Sequence, residues 1–131
     1  FIQMQQTYHI NAAFAVSVAI VESNAGTAWA AIDSSTYNWY SIRGSYNGQS
    51  LNGWRKYSGF NEATKDFGDL IANSGLYCPD KSKISEIAPV YCDEAWGESV
   101  RTYMKKLLQG AGVDLSSYSG GDTSRSSTIC P

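Results

Sequence analysis

One histidine, three cysteines and three prolines are all that the 131-residue chain holds of these types. A single histidine with three thiols leaves too few ligands for a Cys/His zinc centre, so no metal site is expected. His9 has no serine or cysteine partner signature near it, which leaves a nucleophilic triad unsupported and makes it a surface or capping residue. Charge of one sign is also scarce: 10 Lys and Arg stand against 12 Asp and Glu, a net charge of −2. That balance provides no basic footprint for nucleic acid and no polybasic membrane patch. The longest apolar run, Ala12 to Val21, is broken by Ser17 and stops at Glu22, far short of the roughly 18 residues of a membrane span, so no membrane insertion is expected. Closely alternating oxygen ligands for calcium are missing too, and no cofactor is implied.

What remains is the composition of one globular domain, 43% hydrophobic and 17% charged, with 9 Tyr and 4 Trp. Phe1, Met4 and Tyr8 stand at helical spacing and predict a short amphipathic helix. Asn11 reads as the cap of a second helix over Ala12 to Glu22, whose apolar positions cover most of its circumference and predict burial through the middle of the domain. Gly26 comes next as a chain reversal, with Thr27 capping an Ala-rich turn through Ile32. Between Ser34 and Tyr57 the pairs Asn47-Gly48 and Asn52-Gly53 signal tight turns and predict a hairpin with strands Tyr40 to Gly44 and Trp54 to Tyr57. Helices are expected from Ser58–Asn61 to Asn73, from Lys83 to Tyr91 and from Ala95 to Leu108. Glu62, Asp66 and Asp69 beside Lys65 read as a solvated helix face. The fold class is therefore α+β, mostly helical with a small β-hairpin.

Composition also sets two boundaries. Residues 1–115 form the domain, and the Ser/Gly/Thr-rich segment 116–131 reads as a linker to a further domain. A start at Phe1 rather than Met suggests a piece of a longer chain or a mature form. Cys78 and Cys92 enclose a short loop that a disulfide would close, which would favour an oxidising setting; two independent thiols are the alternative. Cys130 lies in the polar tail and is expected to have no partner within the domain.

Glu22 is the residue that invites a chemical reading. A carboxylate at the end of ten largely apolar helical positions is desolvated unless a cleft opens there, and desolvation raises the pKa toward what a general acid requires. A helix-end glutamate that simply reaches solvent is the plain alternative.

Phe14 to Ala28, reading FAVSVAIVESNAGTA, resembles the Glu-Ser motif helix of the lysozyme-like superfamily. Asn38-Trp39-Tyr40-Ser41-Ile42-Arg43-Gly44 is similar to the Asn-Leu-Phe-Gly-Ile-Lys-Gly segment of the bacterial peptidoglycan glucosaminidases, glycoside hydrolase family 73. Trp54-Arg55-Lys56-Tyr57, with Phe60, Glu62 and Asp66 after it, resembles that family's Phe-Arg-x-Tyr strand and the helix beyond it. Ile87 to Tyr91 and Trp96 to Val100 resemble its closing helices, so the likeness runs in order over about residues 1–110. Goose-type lysozymes and lytic transglycosylases share Glu-Ser but continue it with Gly-Leu-Met-Gln, which does not occur here. Ser41 stands where the family usually has Gly, and Trp39 and Tyr40 replace Leu and Phe.

The resemblance implies a lysozyme-like fold with the hairpin beside a catalytic cleft. It implies an endo-β-N-acetylglucosaminidase cutting peptidoglycan after N-acetylglucosamine, with Glu22 as general acid. Many members carry a second glutamate on the hairpin, yet Ser45 to Gly53 reads SYNGQSLNG and holds no carboxylate. A two-acid mechanism loses its obvious partner. Three accounts stand: attack by the substrate's own acetamido oxygen with Tyr91 or another hydroxyl steadying that group, a role for Asp33 near the cleft, or loss of catalysis with glycan binding kept. Aromatic rings offer faces to sugar C–H groups, so Trp39 and Tyr57 are expected at the substrate, the resemblance implies the same of Asn38 and Tyr40 by family position, and Trp96 is expected in the core. An N-acetylmuramidase on the same scaffold and a noncatalytic wall-binding module are the alternatives. The partner implied is the peptidoglycan strand, and the setting lies outside the cytoplasm: secreted, at the cell wall or on a phage particle.

Overall fold

The computed structural model describes residues 1–28, 31, 35–74 and 83–114. Asp33, Cys78, Cys130 and the 116–131 segment lie outside the described residues, as does most of the Ala-rich turn. Among the described residues the elements run α1 (Ile2–Tyr8), α2 (Ala12–Ser23), β1 (Ser50–Leu51), β2 (Trp54–Arg55), α3 (Phe60–Asn73), α4 (Ile84–Tyr91) and α5 (Glu94–Gly110). This is a mostly helical α+β chain. No described helix is long and apolar enough to cross a membrane.

The chain divides into two compact units, residues 1–17 with 68–131 and residues 18–67. In the first, α1 ends at His9, exposed and in the left-handed region, whose N–H donates to the Gln5 carbonyl. The Asn11 side chain accepts from the Ala13 N–H at 3.0 Å and starts α2 as a cap. Gly68 of α3 lies so close to Tyr8 that a Cβ there would sit 2.6 Å from its ring. Helices α4 and α5 approach at Gly97, where a Cβ would meet that of Ala88 at 2.7 Å. Asp93 caps α5 by accepting from the Trp96 N–H at 2.8 Å, and Trp96, Val100 and Met104 face the core from it. The Trp96 ring stacks on half-buried Tyr91 with centroids 4.7 Å apart.

The second unit starts with the end of α2, and from Asn11 to Ser23 no residue is exposed, as the all-round apolar pattern requires. Its hairpin is smaller than expected. β1 and β2 pair antiparallel in the register Ser50 with Arg55 and Leu51 with Trp54, closed by Asn52-Gly53. A second tight turn, Asn47-Gly48, joins the Tyr46–Gln49 bridge. Both central residues of each turn have positive φ, the signature of the type I′ geometry that suits a twisted ribbon. The strand expected over Tyr40 to Gly44 is not one. Only Arg43 bridges to Trp54, with Arg55 N–H donating to the Ile42 carbonyl. Ser41 at φ 50° and Gly44 at φ 98° break the extended run on either side.

Helix α3 is amphipathic, with Ala63 and Phe67 wholly buried, but its acidic face is not the solvated one that its spacing suggested. Asp66 is 7% exposed. One carboxylate oxygen, Oδ2, accepts from Arg55 Nη1 at 2.7 Å and from the Tyr57 hydroxyl at 2.6 Å. A buried carboxylate is tolerable only when so paired. Glu62 accepts from the Ser58 N–H and hydroxyl, which satisfies donors just ahead of the first turn of α3.

Tyr40 has no exposed surface; its ring stacks on Phe67 at 4.2 Å and its hydroxyl bonds Thr64. Burial pushes the Tyr40 phenol well above its ordinary 10.0, partly offset by the bond to Thr64. Burial does the same to Tyr57, reinforced by its bond to Asp66 and by that carboxylate's charge. The unfolded chain ionises both near 10 while the folded chain keeps both protons. Their contribution is therefore complete below pH 10 and is lost as pH rises, at up to about 1.4 kcal/mol per pH unit for each group. Urea denaturation from pH 8 to 11.5 should show this fall, and the Tyr40→Phe/Tyr57→Phe chain should show a shallower one. An equal slope in both would exclude these phenols as its source.

Candidate active site

Glu22 sits half-buried at the penultimate position of α2, and the backbone leaves that helix by an uncommon route. Asn24, Ala25 and Gly26 all have positive φ, at 46°, 54° and 87°. Such backbone is natural for glycine, tolerated by asparagine and strained for alanine. Wholly buried Ser23 holds it in place: its hydroxyl donates to the Ala19 carbonyl at 2.8 Å and accepts from the Gly26 N–H at 2.9 Å. The Ser23 carbonyl in turn accepts from the N–H groups of Thr27 and Ala28. Thr27 turns back instead of capping forward, since its hydroxyl donates to the Asn24 carbonyl at 2.8 Å.

Two side chains from residues 38–44 complete this end. The Ser41 hydroxyl donates to the Glu22 carbonyl at 3.2 Å. Trp39 packs so tightly over Gly26 that a Cβ there would lie 2.4 Å from its Cε2. The indole also meets Phe60, with centroids 4.4 Å apart. Gly26 is therefore required twice over, for its φ and for the space that Trp39 takes.

Asn38, wholly buried, organises the segment from within. Its Nδ2 donates to the carbonyls of Ile42 and Arg55 at 2.8 and 3.1 Å, and its Oδ1 accepts from the Ile42 N–H at 3.0 Å. Tyr57, 2% exposed, is tied to the chain by its N–H to the Thr36 carbonyl and by its hydroxyl to Asp66. The residues expected at the substrate thus divide. Glu22 keeps a half-exposed position and Trp39 lies beside its turn, while the side chains of Asn38, Tyr40 and Tyr57 are buried. Residues 40–44 are not a strand, so strand alternation does not decide which of their side chains face outward. Tyr91 belongs to the other unit, at the end of α4, and Cys92 is the exposed cap after it.

No three His, Cys, Asp or Glu side chains converge as a metal-binding group among the described residues. Of the carboxylates in residues 18–67 that the structure describes, Asp66 is consumed by Arg55 and Tyr57, and Glu62 gives one oxygen to Ser58. Glu22 is the carboxylate that stands at the end of α2, just ahead of the left-handed turn.

Residues 1–123 match the sequence profile of the glucosaminidase family, described as mannosyl-glycoprotein endo-β-N-acetylglucosaminidase. The chain belongs to this family. It is a glycoside hydrolase domain, as its Glu-Ser helix and Asn38–Gly44 segment led one to expect. No curated protein sequence matches it. Similar solved structures include the catalytic domain of the autolysin Auto from Listeria monocytogenes, with TM-score 0.65 and 21% identity over 79% of this chain and 76% of that one. Another is the N-acetylmuramoyl-L-alanine amidase from Staphylococcus aureus, with TM-score 0.71 and 24% identity over 86% of this chain and 40% of that one. Both likenesses establish the fold.

Substituting Gly26→Ala should destabilise the domain by about 2 kcal/mol or more, since it combines a strained φ with an overlap against an indole. Trp39 emission should change with it. Urea curves and fluorescence spectra identical to those of the parent chain would show that this turn does not depend on Gly26.

Proposed function

We propose that this domain hydrolyses the glycan backbone of bacterial peptidoglycan after N-acetylglucosamine, with Glu22 as general acid. The observation that carries the proposal is the construction of the Glu22 turn: three left-handed residues, a buried serine, and the Ser41 and Trp39 contacts all serve to hold one helix end. Strain of this kind persists only where surrounding structure over-determines it, and it gathers at functional sites. Family membership supplies the bond type, and the autolysin fold neighbour favours wall glycan as the polymer. Such a substrate implies action outside the cytoplasm, and the longer chain of the amidase neighbour supports a place in one module of a larger protein.

A carboxylate-free hairpin favours substrate assistance. The 2-acetamido oxygen attacks the anomeric carbon while the Glu22 carboxylic acid gives its proton to the departing glycosidic oxygen. A bicyclic oxazolinium forms as the glycosidic bond breaks. Water then adds to the anomeric carbon, Glu22 carboxylate takes its proton, and the acetamido group is restored with retained configuration. One protein acid serves both steps, as general acid and then as general base. A hydroxyl to steady the acetamido group is needed, for which the family resemblance offers Tyr91 or another hydroxyl, and Asp33 is the candidate if a second carboxylate takes part.

Mass spectrometry of fragments released from purified peptidoglycan and reduced with borohydride tests this directly. The parent chain should yield ends of reduced N-acetylglucosamine, and Glu22→Gln should slow their release by about 10²–10⁴-fold. Reduced N-acetylmuramic acid ends would make the domain a muramidase. Pelleting with walls and no fragments would make it a binding module.

A further inference from the structure

The hairpin carries a second arrangement, away from the Glu22 turn. A cavity of about 290 Å³ opens between the Asn47-Gly48 turn and the start of α3. Its apolar wall is the pair Tyr46 and Tyr57, with ring centroids 5.0 Å apart at 50°. The polar lining comes from Asn47, Gln49, Lys56 and Glu62.

These groups are held in place with bonding capacity to spare. Tyr46 and Gln49 exchange two backbone bonds, at 2.9 and 2.8 Å, and the Lys56 N–H donates to the Gln49 carbonyl at 3.3 Å, so the backbone that bears them is fixed. Tyr57 is anchored through Asp66. Glu62 spends Oε2 on Ser58, which leaves Oε1 as an acceptor. Among the described residues the Lys56 ammonium has neither an ion-pair partner nor a hydrogen bond, and the exposed side-chain amides of Asn47 and Gln49 make no bond to the protein. A cation at the cavity wall without a protein partner offers a site for an anion. Sugar hydroxyls do not supply one.

We infer that this cavity binds a short peptide with a free carboxylate, of the kind that wall glycan carries on its lactyl groups. The carboxylate pairs with Lys56, the peptide N–H and C=O groups match the amides of Asn47 and Gln49 and the free oxygen of Glu62, and a methyl side chain lies on Tyr46 and Tyr57. The volume falls just under the about 300–1,000 Å³ of sites for drug-sized ligands and suits one short segment. The inference rests on the proposed wall substrate for the origin of the peptide, while the cavity chemistry stands by itself.

Amide chemical shifts of the whole chain, titrated with N-acetyl-L-alanyl-D-isoglutamine, test it without any turnover. Tyr46, Gln49 and Lys56 should shift. Lys56→Met should weaken binding about tenfold, Lys56→Arg should largely restore it, and the ligand with its carboxylate converted to carboxamide should bind as weakly as the Met variant does. No shifts, or equal affinity for acid and amide, would overturn the inference. So would the same shifts with a trimer of N-acetylglucosamine, undiminished in Lys56→Met, which would make the cavity a sugar subsite. Failure of the chain to release wall fragments would defeat the proposed function and leave this titration unaffected.

Discussion

The Asp66 carboxylate holds the hairpin unit together. By accepting from Arg55 and Tyr57 it ties α3 to β2 and to the strand exit. The Arg55 carbonyl then accepts from Asn38, Asn38 clips Ile42, and the neighbouring Ser41 donates to the Glu22 carbonyl. A continuous line of hydrogen-bonded residues thus runs from a buried charge to the end of the helix that bears the proposed acid. Breaking one partner of a buried pair leaves the other uncompensated, which is far more disruptive than the modest net worth of the intact pair.

Ser41 explains a departure from the family pattern. Its φ of 50° is the left-handed backbone for which glycine is the ordinary choice. A serine there bears the strain of its Cβ, and its hydroxyl bonds the Glu22 carbonyl in return. The substitution exchanges backbone ease for one tether on the helix end. Trp39 replaces a leucine with similar logic, because its larger ring reaches both Gly26 and Phe60.

Helices were legible in the sequence wherever period and cap agreed: Asn11 opens α2, and Trp96, Val100 and Met104 mark the buried face of α5. Both Asn-Gly turns were legible for the same reason, since their chemistry is local. The Tyr40–Gly44 strand was not, because left-handed backbone at Ser41 leaves no trace in an aromatic and β-branched run. Nor could spacing tell that Asp66 is buried, for its partners come from β2 and the chain just after it. Glu22 stood out through its helix and its family likeness. The burial of Asn38, Tyr40 and Tyr57 was not legible, since only the fold determines it. The peptide-sized cavity was invisible for the same reason.

The line from Asp66 to Glu22 has a kinetic side. Its links close over 9, 11, 17, 4 and 19 residues. Loop-closure entropy grows slowly with length, by about 0.6 kcal/mol per doubling, so none of these closures demands a long search. Local contacts of this sort favour rapid folding. The scaffold around the helix end can therefore assemble from one contiguous stretch of chain, ahead of any contact that must wait for distant sequence.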